Sequence, residues 1–403
     1  MNHAGGPVSR YSDFIKVLAP LSANTSSAEM QMARYGSLFL DEQFEDGSDG
    51  SVFEYEFVYY PTTTDSGTTE GNKRPNPDSV QGVSLKSLGA DKEQYRFTHI
   101  LKNNQRKDDY ARYMEHLAVM GLSNPSFNQQ VGDIIDVDDW LRAMCVAVAS
   151  GCGDNFAQNS GHNVQFYVRP EDQRVLMFPH DMDAFHNATR SMFANAHLNK
   201  LIADPGNERL YLTHMNDVLN TAYNPTYIEH WADQLSALSP EQNFETFRSF
   251  ISTRHDYLKG QLNSRAGAYL PFAVTTAPAT VDARTVTVDG TAWLDVYEIT
   301  LVGRPDPVDI TWTKVGSDFI WHTEVPLDPG VNDLTFVAYD YQRSAVGTSR
   351  VTFVSTIAER PLHDHLRVTE LMVYPREGSD AEFIELFNDG TNTLDLSGVV
   401  LSG

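Results

Sequence analysis

The sequence predicts a multidomain chain in which an α+β region is followed by all-β sandwich domains. Three observations carry this expectation. Residues 1–270 mix strand-like alternation with 3.6-residue apolar stripes. Residues 272–403 read as almost entirely β, with short strands at regular spacing. The change falls at Tyr269-Leu270-Pro271, just after the last helical pattern. At 403 residues, 41% apolar and 21% charged, the chain has ordinary globular composition and length for two or three domains. The expected divisions are 1–270, 271–358 and 364–403.

Taken in order, residues 51–60 alternate apolar and polar side chains as a half-buried strand does, and a Thr/Gly/Asn/Pro-rich loop follows over 61–78. Asp108 and Asp109 open a helical stripe of Tyr110, Tyr113, Met114, Leu117 and Met120. Asp136 is a natural N-cap for a second helix, whose apolar face is Val137, Trp140, Leu141, Met144, Cys145 and Val148. From 189 to 262 the pattern is helical, broken at Asp204-Pro205-Gly206, Asn224-Pro225 and Ser239-Pro240. Strands are expected at 285–288, 296–302, 309–314, 333–339 and 349–354, with turns at Asp289-Gly290 and Asp328-Pro329-Gly330. That spacing is the cadence of an immunoglobulin-like sandwich, with Trp293, Trp312 and Trp321 read as packing residues, or alternatively as a sugar-stacking platform.

The formal charge of −24 argues against binding to phosphate backbones or anionic lipid, so no nucleic-acid partner is expected. No apolar run is long enough to span a membrane. Residues 1–6 are polar and lack the core of a signal peptide, and the C-terminal residues stop within a strand-like pattern, so a fragment of a longer chain is expected. The two cysteines, Cys145 and Cys152, would stand about 10 Å apart on a continuous helix and could bridge only if the chain turned at Gly151 or Gly153.

Chemically useful residues are densest between 153 and 185. Asp154 lies in a Gly-rich turn, and Asn163 follows nine residues later. Two strand-like runs, 164–168 and 174–178, are joined by Arg169-Pro170-Glu171-Asp172-Gln173, which reads as the turn of a hairpin. The second run delivers Pro179-His180-Asp181-Met182-Asp183. A hairpin brings the chain back to its start, so Asp154 and Asn163 would face Asp181 and Asp183 in an oxygen-rich site suited to Mg²⁺ or Mn²⁺. Protein kinases present the same order of groups: a catalytic-loop Asp, a metal-binding Asn, then a metal-binding Asp. Asp154 would be the base, and Asn163, Asp181 and Asp183 the metal ligands. Taken singly each has a plainer role: a turn residue, a strand-entry Asn, caps of the next helix. His162 and His180 could bind a metal but are read as packing or hydrogen-bonding neighbours, because no helical His-Glu spacing supports zinc.

Asp154, the run 161–169 and Phe178-Pro179-His180-Asp181-Met182-Asp183 together resemble the spore-coat-protein-H (CotH) kinase-like family. Phe44-Glu45-Asp46-Gly47, Val52-Phe53-Glu54 and residues 100–110 are similar to segments of its environmental bacterial members. The resemblance covers about residues 30–262. It implies an atypical kinase fold, with ATP as co-substrate, that phosphorylates protein hydroxyls in secreted or coat proteins, and hence an extracellular or cell-surface location. Two departures stand out. His180 replaces the family's Trp, and the sequence shows neither a glycine-rich phosphate loop nor a clear ATP lysine, Lys86 and Lys102 being candidates that otherwise read as surface lysines.

Residues 366–375, Glu382-Phe383-Ile384-Glu385-Leu386-Phe387-Asn388 and Leu394-Asp395-Leu396-Ser397-Gly398 resemble the opening of a lamin-tail domain, which implies binding or attachment. The function expected is therefore an ATP-dependent protein kinase acting on a secreted or surface protein. The alternative is a non-catalytic extracellular, coat or adhesion protein with a degenerate kinase-like region, whose β-domains bind partners such as cell-surface polysaccharide.

Overall fold

The computed structural model describes residues 2–5, 12–17, 20, 26–32, 34–55, 58–60, 79–81, 85–96, 98–240, 243–304, 307–357, 361–372, 382–396 and 399. The loop expected over 61–78 lies outside the described residues, as do Val373-Tyr374-Pro375 and Ser397-Gly398.

The first region opens with the antiparallel pair β1 (Ser12–Val17) and β2 (Ser26–Met32), then α1 (Ser37–Gln43) and β3 (Ser51–Tyr55). A second pair, β4 (Val58–Tyr60) and β5 (Ser79–Gln81), precedes β6 (His99–Leu101). Helices α2 (Ala111–Met120), α3 (Ser126–Ile134) and α4 (Val137–Ala149) lead to the hairpin β7 (Val164–Val168) and β8 (Val175–Pro179). Helices α5 (Ala196–Leu201), α6 (Pro205–Asn220), α7 (Pro225–Leu238) and α8 (Glu245–Ala266) complete it. The breaks expected from sequence are real caps: Asp136, Asp204 and Asn224 accept from the first-turn amides of α4, α6 and α7. Pro205 and Pro225 sit where a missing N–H costs nothing.

A four-stranded antiparallel sheet in the order β6-β3-β7-β8 organises this region. Alternation gives its faces different neighbours. Phe53, Tyr55, Val164, Phe166, Val175 and Met177 join the main core with Tyr113, Leu117 and Trp140. On the other face Val52, Tyr167, Leu176 and Phe178 form a smaller core with Tyr35, Phe39 and Leu40 at α1.

The main core holds histidines among aromatic rings. His99 meets the Tyr113 hydroxyl at 3.0 Å, while His116 packs on Trp140 and Phe166 with neither ring nitrogen hydrogen-bonded. Burial pushes His99 down to about 3 and His197 down to about 4, and holds His116 well below the ordinary range. A base held neutral in the fold but free to protonate when unfolded gives stability that is complete above pH 6.5. That stability is lost as pH falls below it, by about 1.4 kcal/mol per pH unit for each group. The buried Asp139 carboxyl, pushed up to about 7 chiefly by burial, works in the opposite sense. The expected result is a net fall in denaturation midpoint between pH 6.5 and pH 4.5, read in parallel urea titrations. A flat profile would contradict the neutral burial of the three histidines.

Eight strands follow: β9 (Ala273–Val274), β10 (Ala279–Val281), β11 (Thr285–Thr291), β12 (Glu298–Leu301), β13 (Thr311–Val315), β14 (Asp318–Pro326), β15 (Gly330–Tyr339) and β16 (Ala345–Ser355). They form two four-stranded sheets, β10-β16-β15-β12 and β13-β14-β11-β9, around Val288, Ile299, Trp321, Val325, Phe336 and Phe353. The turn expected at Asp289-Gly290 is instead continuous strand. Gly290 lies under the Trp321 indole, where a Cβ would overlap the ring and the Ala273 carbonyl. Sequence reasoning took the Asp-Gly pair for a turn, whereas the glycine is there for close packing.

The β-sandwich packs directly on the helices. Leu294 and Phe319 belong to the main core. Arg209 of α6 donates to the Trp293 and Val296 carbonyls at 2.8 Å and lies 3.6 Å over the Trp312 ring. Arg142 of α4 is fully buried; it pairs with Asp217 at 2.5 Å, donates to the Ala4 carbonyl, and stacks 3.9 Å over Tyr341. Asp138 takes the His214 imidazole at 2.9 Å and the Tyr297 hydroxyl at 3.0 Å. Beyond the sandwich, the short α9 (Pro361–His365) leads into an antiparallel pair, β17 (Leu366–Met372) and β18 (Phe383–Asn388).

Candidate functional site

The hairpin β7-β8 does what its sequence predicts. Val168 pairs with Val175, and Gln173 adopts φ +58° in the connecting turn. At the other end Val164 pairs with Pro179, so Asn163 and His180 leave the sheet side by side, joined by a His180 N–H to Asn163 carbonyl bond of 3.3 Å. The Asn163 amide nitrogen then reaches both flanking loops. It donates to the Asp154 carbonyl at 2.6 Å and to the Asp181 carbonyl at 3.4 Å. Asp154, Asn163 and Asp181 are thus brought together through their main chains, with a buried side-chain amide at the junction.

Asn163 and Asp181 both take left-handed backbone conformations, φ +58° and +53°, which short polar residues tolerate. Phe185 is also left-handed at φ +53°, an uncommon state for a bulky residue, and the residue is 74% exposed. The loop is pinned around it. Gly153 N–H and the Cys152 thiol donate to the Ala184 carbonyl at 3.3 and 3.0 Å, and Asn187 N–H donates to the Gly151 carbonyl at 3.0 Å. Gly151 has φ +69°, and a Cβ there would press on Phe250 and the Asn187 carbonyl; one at Gly153 would collide with the Arg190 guanidinium. The chain turns at these glycines, the condition set for a bridge, yet both cysteines are buried and free.

The side chains are placed differently from one another. Asp154 is half-buried, its Oδ1 held by His162 Nε2 at 2.6 Å and by the Ser160 hydroxyl at 3.3 Å, while Oδ2 has no hydrogen bond among the described residues. His162 is thus a hydrogen-bonding neighbour. Asp181 and Asp183 are exposed, and their carboxylates carry no ion pair or hydrogen bond among the described residues. Neither caps a helix: the next one, α5, is capped by Asn195. Among the described residues no three His, Cys, Asp or Glu side chains stand close enough to hold a cation as they are. The donor chemistry fits a hard divalent ion nonetheless. Two free carboxylates lie in the loop that the Asn163 amide touches, and with Nδ2 occupied by carbonyls the remaining polar atom of that side chain is an oxygen.

Sequence reasoning missed the adjoining cleft. Glu54 of β3 and Gln165 of β7 are cross-strand partners on the α1 side of the sheet, and Gln165 donates to the Glu54 carboxylate at 2.8 Å. Lys102 Nζ lies 3.0 Å from the same carboxylate. With Arg34, Tyr35 and Ser37 these residues line a cleft of ≈ 570 Å³, within the size range of small-molecule sites. Gln165 is two residues from Asn163, about 7 Å along the strand. The signal available was alternation, which places Glu54 on the same face as Val52. Lys86 is exposed beside Gly121 and does not line this cleft.

A family model described as CotH kinase protein matches residues 30–248, just over half of the chain. No curated protein matches. A solved structure titled "Structures of Clostridium thermocellum CbhA fibronectin(III)-like modules" covers 22% of this chain and 100% of its own, at 15% identity and a TM-score of 0.17, a likeness too slight to carry an argument. Among the described residues no helix is long and apolar enough to cross a membrane.

Proposed function

The chain belongs to the CotH kinase protein family, and from that premise we propose that it transfers phosphate from Mg-ATP to the hydroxyl of a secreted or surface protein. The observation that supports this reading best is the Asn163 amide bridging the Asp154 and Asp181 loops at the open end of the hairpin. Phosphoryl transfer asks the protein mainly for positioning and charge stabilisation. Asp154 Oδ2 would accept the proton of the acceptor hydroxyl, while His162 and Ser160 hold Oδ1 and so fix the carboxylate's orientation. Asn163, Asp181 and Asp183 would hold Mg²⁺ or Mn²⁺, which when bound neutralises phosphate charge. Lys102, paired with Glu54 in the adjoining cleft, would face a nucleotide's phosphates. The CotH affiliation, with the lamin-tail resemblance of residues 366–398, supports a location in a coat or on a cell surface, where the C-terminal β-region would serve attachment.

The rival reading, a non-catalytic coat or adhesion protein, is favoured by one observation: the carboxylates are not gathered around a common point. A sugar-stacking platform is less supported, because Trp321 is fully buried and Trp312 lies against Arg209.

The test is stabilisation by Mg-ATP. Ligand at a hundredfold over its Kd adds about 2.7 kcal/mol to the stability of the native state. The wild-type melting temperature should rise accordingly, and Asp181→Ala should melt normally without ligand yet gain nothing from it. Equal responses of the two proteins would establish the scaffold reading instead.

A further inference from the structure

We propose that Arg254, in the middle of α8, is a positioning residue that sets the spacing between the Asp154 loop and the Asp181–Asp183 loop. The inference rests on the functional reading above. Arg254 is fully buried, and among the described residues its hydrogen bonds go to main-chain carbonyls. One nitrogen donates to the carbonyls of Ala188, at 3.1 Å, and Arg190, in the chain that follows Asp183. The other donates to the Val148 carbonyl, at 2.7 Å, in the last turn of α4, six residues before Asp154. A single rigid guanidinium thereby ties together the two segments that carry the proposed base and the proposed metal ligands. Its planar fork does what a flexible ammonium does less well.

The surroundings are built around the same clasp. Gly151 lies beside Arg254, where a Cβ would stand 3.4 Å from Nε, and more tightly against Phe250 and the Asn187 carbonyl, at 2.9 and 3.0 Å. Phe250, one turn earlier on α8, packs edge-on against His186, and Gln261, two turns later, accepts the Met192 amide at 2.8 Å. Helix α8 thus holds the loop along 186–192, while the Gly153 and Asn187 amides bond across to the partner loop. The exposed carboxylates of Asp181 and Asp183 have no side-chain anchor of their own among the described residues. Their placement therefore depends on how the following residues are held.

The experiment compares wild type, Arg254→Met, Arg254→Lys and, as a structural control, Arg209→Met, which removes a comparably buried guanidinium at the sandwich interface. Two readouts are taken on the full chain: amide hydrogen exchange at Gly153 and Asn187 without ligand, and Mg-ATP affinity by calorimetry. Arg254→Met should speed exchange at both amides at least tenfold more than its loss of global stability explains, and weaken Mg-ATP at least tenfold. Arg254→Lys should recover part of each. Arg209→Met should lower the melting temperature and move neither readout. Exchange at the two amides that merely follows global stability would overturn the proposal, as would an Arg209→Met effect equal to that of Arg254→Met. If neither Arg254 variant folds, the residue is structural and the proposal fails. If wild type does not bind Mg-ATP, the kinase reading fails, while the exchange result still decides whether Arg254 spaces the loops.

Discussion

Replacing Asp154 with Asn is expected to slow phosphate transfer to a protein hydroxyl by about 10²–10⁴-fold, the usual contribution of a positioned base. Mg-ATP affinity and melting temperature should stay close to wild type. The separation follows from the two ends of the carboxylate. Oδ1 is engaged by His162 and Ser160, and an asparagine oxygen can accept the same bonds. Oδ2 has no hydrogen bond among the described residues, and replacing it with an NH₂ group removes the proton acceptor while leaving shape unchanged. Transfer is followed by mass spectrometry of the acceptor under saturating Mg-ATP. Asp154→Asn and Asp181→Ala should therefore fail in different ways, the first in turnover and the second in binding. An unaltered rate for Asp154→Asn would reduce Asp154 to a turn residue.

The second large effect is on stability. Arg142→Met should destabilise the protein by about 3–5 kcal/mol, the range for breaking a buried ion pair from one side. It would strand Asp217, whose carboxylate among the described residues otherwise meets Gln342 at 3.3 Å or more, together with the Ala4 carbonyl and the face of Tyr341. Urea unfolding of the full chain measures it, with far-UV circular dichroism reporting the helices and tryptophan fluorescence including the sandwich. Because Arg142, Asp138, His214, Tyr297 and Tyr341 join the helices to the sandwich, both probes should show the transition together, in wild type and variant alike. A loss under about 1 kcal/mol, or a sandwich that unfolds separately, would mean that the interface is incidental.

Local features were legible in the sequence, and long-range ones were not. Asp136, Asp204 and Asn224 announce their helices because a cap is satisfied within three residues. The Asp154–Asn163–hairpin–Asp181 order was readable because a hairpin fixes where its two ends meet. The buried arginines were invisible for the opposite reason. In sequence, Arg142, Arg209 and Arg254 look like ordinary cations on helices, yet their partners are carbonyls and rings contributed by Ala4, Trp293, Val296, Tyr341 and Ala188. No residue type advertises a carbonyl acceptor. The cleft was half visible. Lys102 was one of two candidates, each of which also read as a surface lysine, and its pairing with Glu54 depends on β6 lying beside β3, a register that neither strand declares alone. Asp289-Gly290 misled because a glycine needed for contact with Trp321 has the same letters as a turn.

The most direct test of the central claim is hydrogen exchange of the full chain with and without saturating Mg-ATP. New protection is expected in 150–154, 161–165 and 179–190 and at Glu54 and Lys102, with the β-sandwich unchanged. Protection confined to residues 273–355, or none anywhere, would contradict a nucleotide site at the open end of the hairpin.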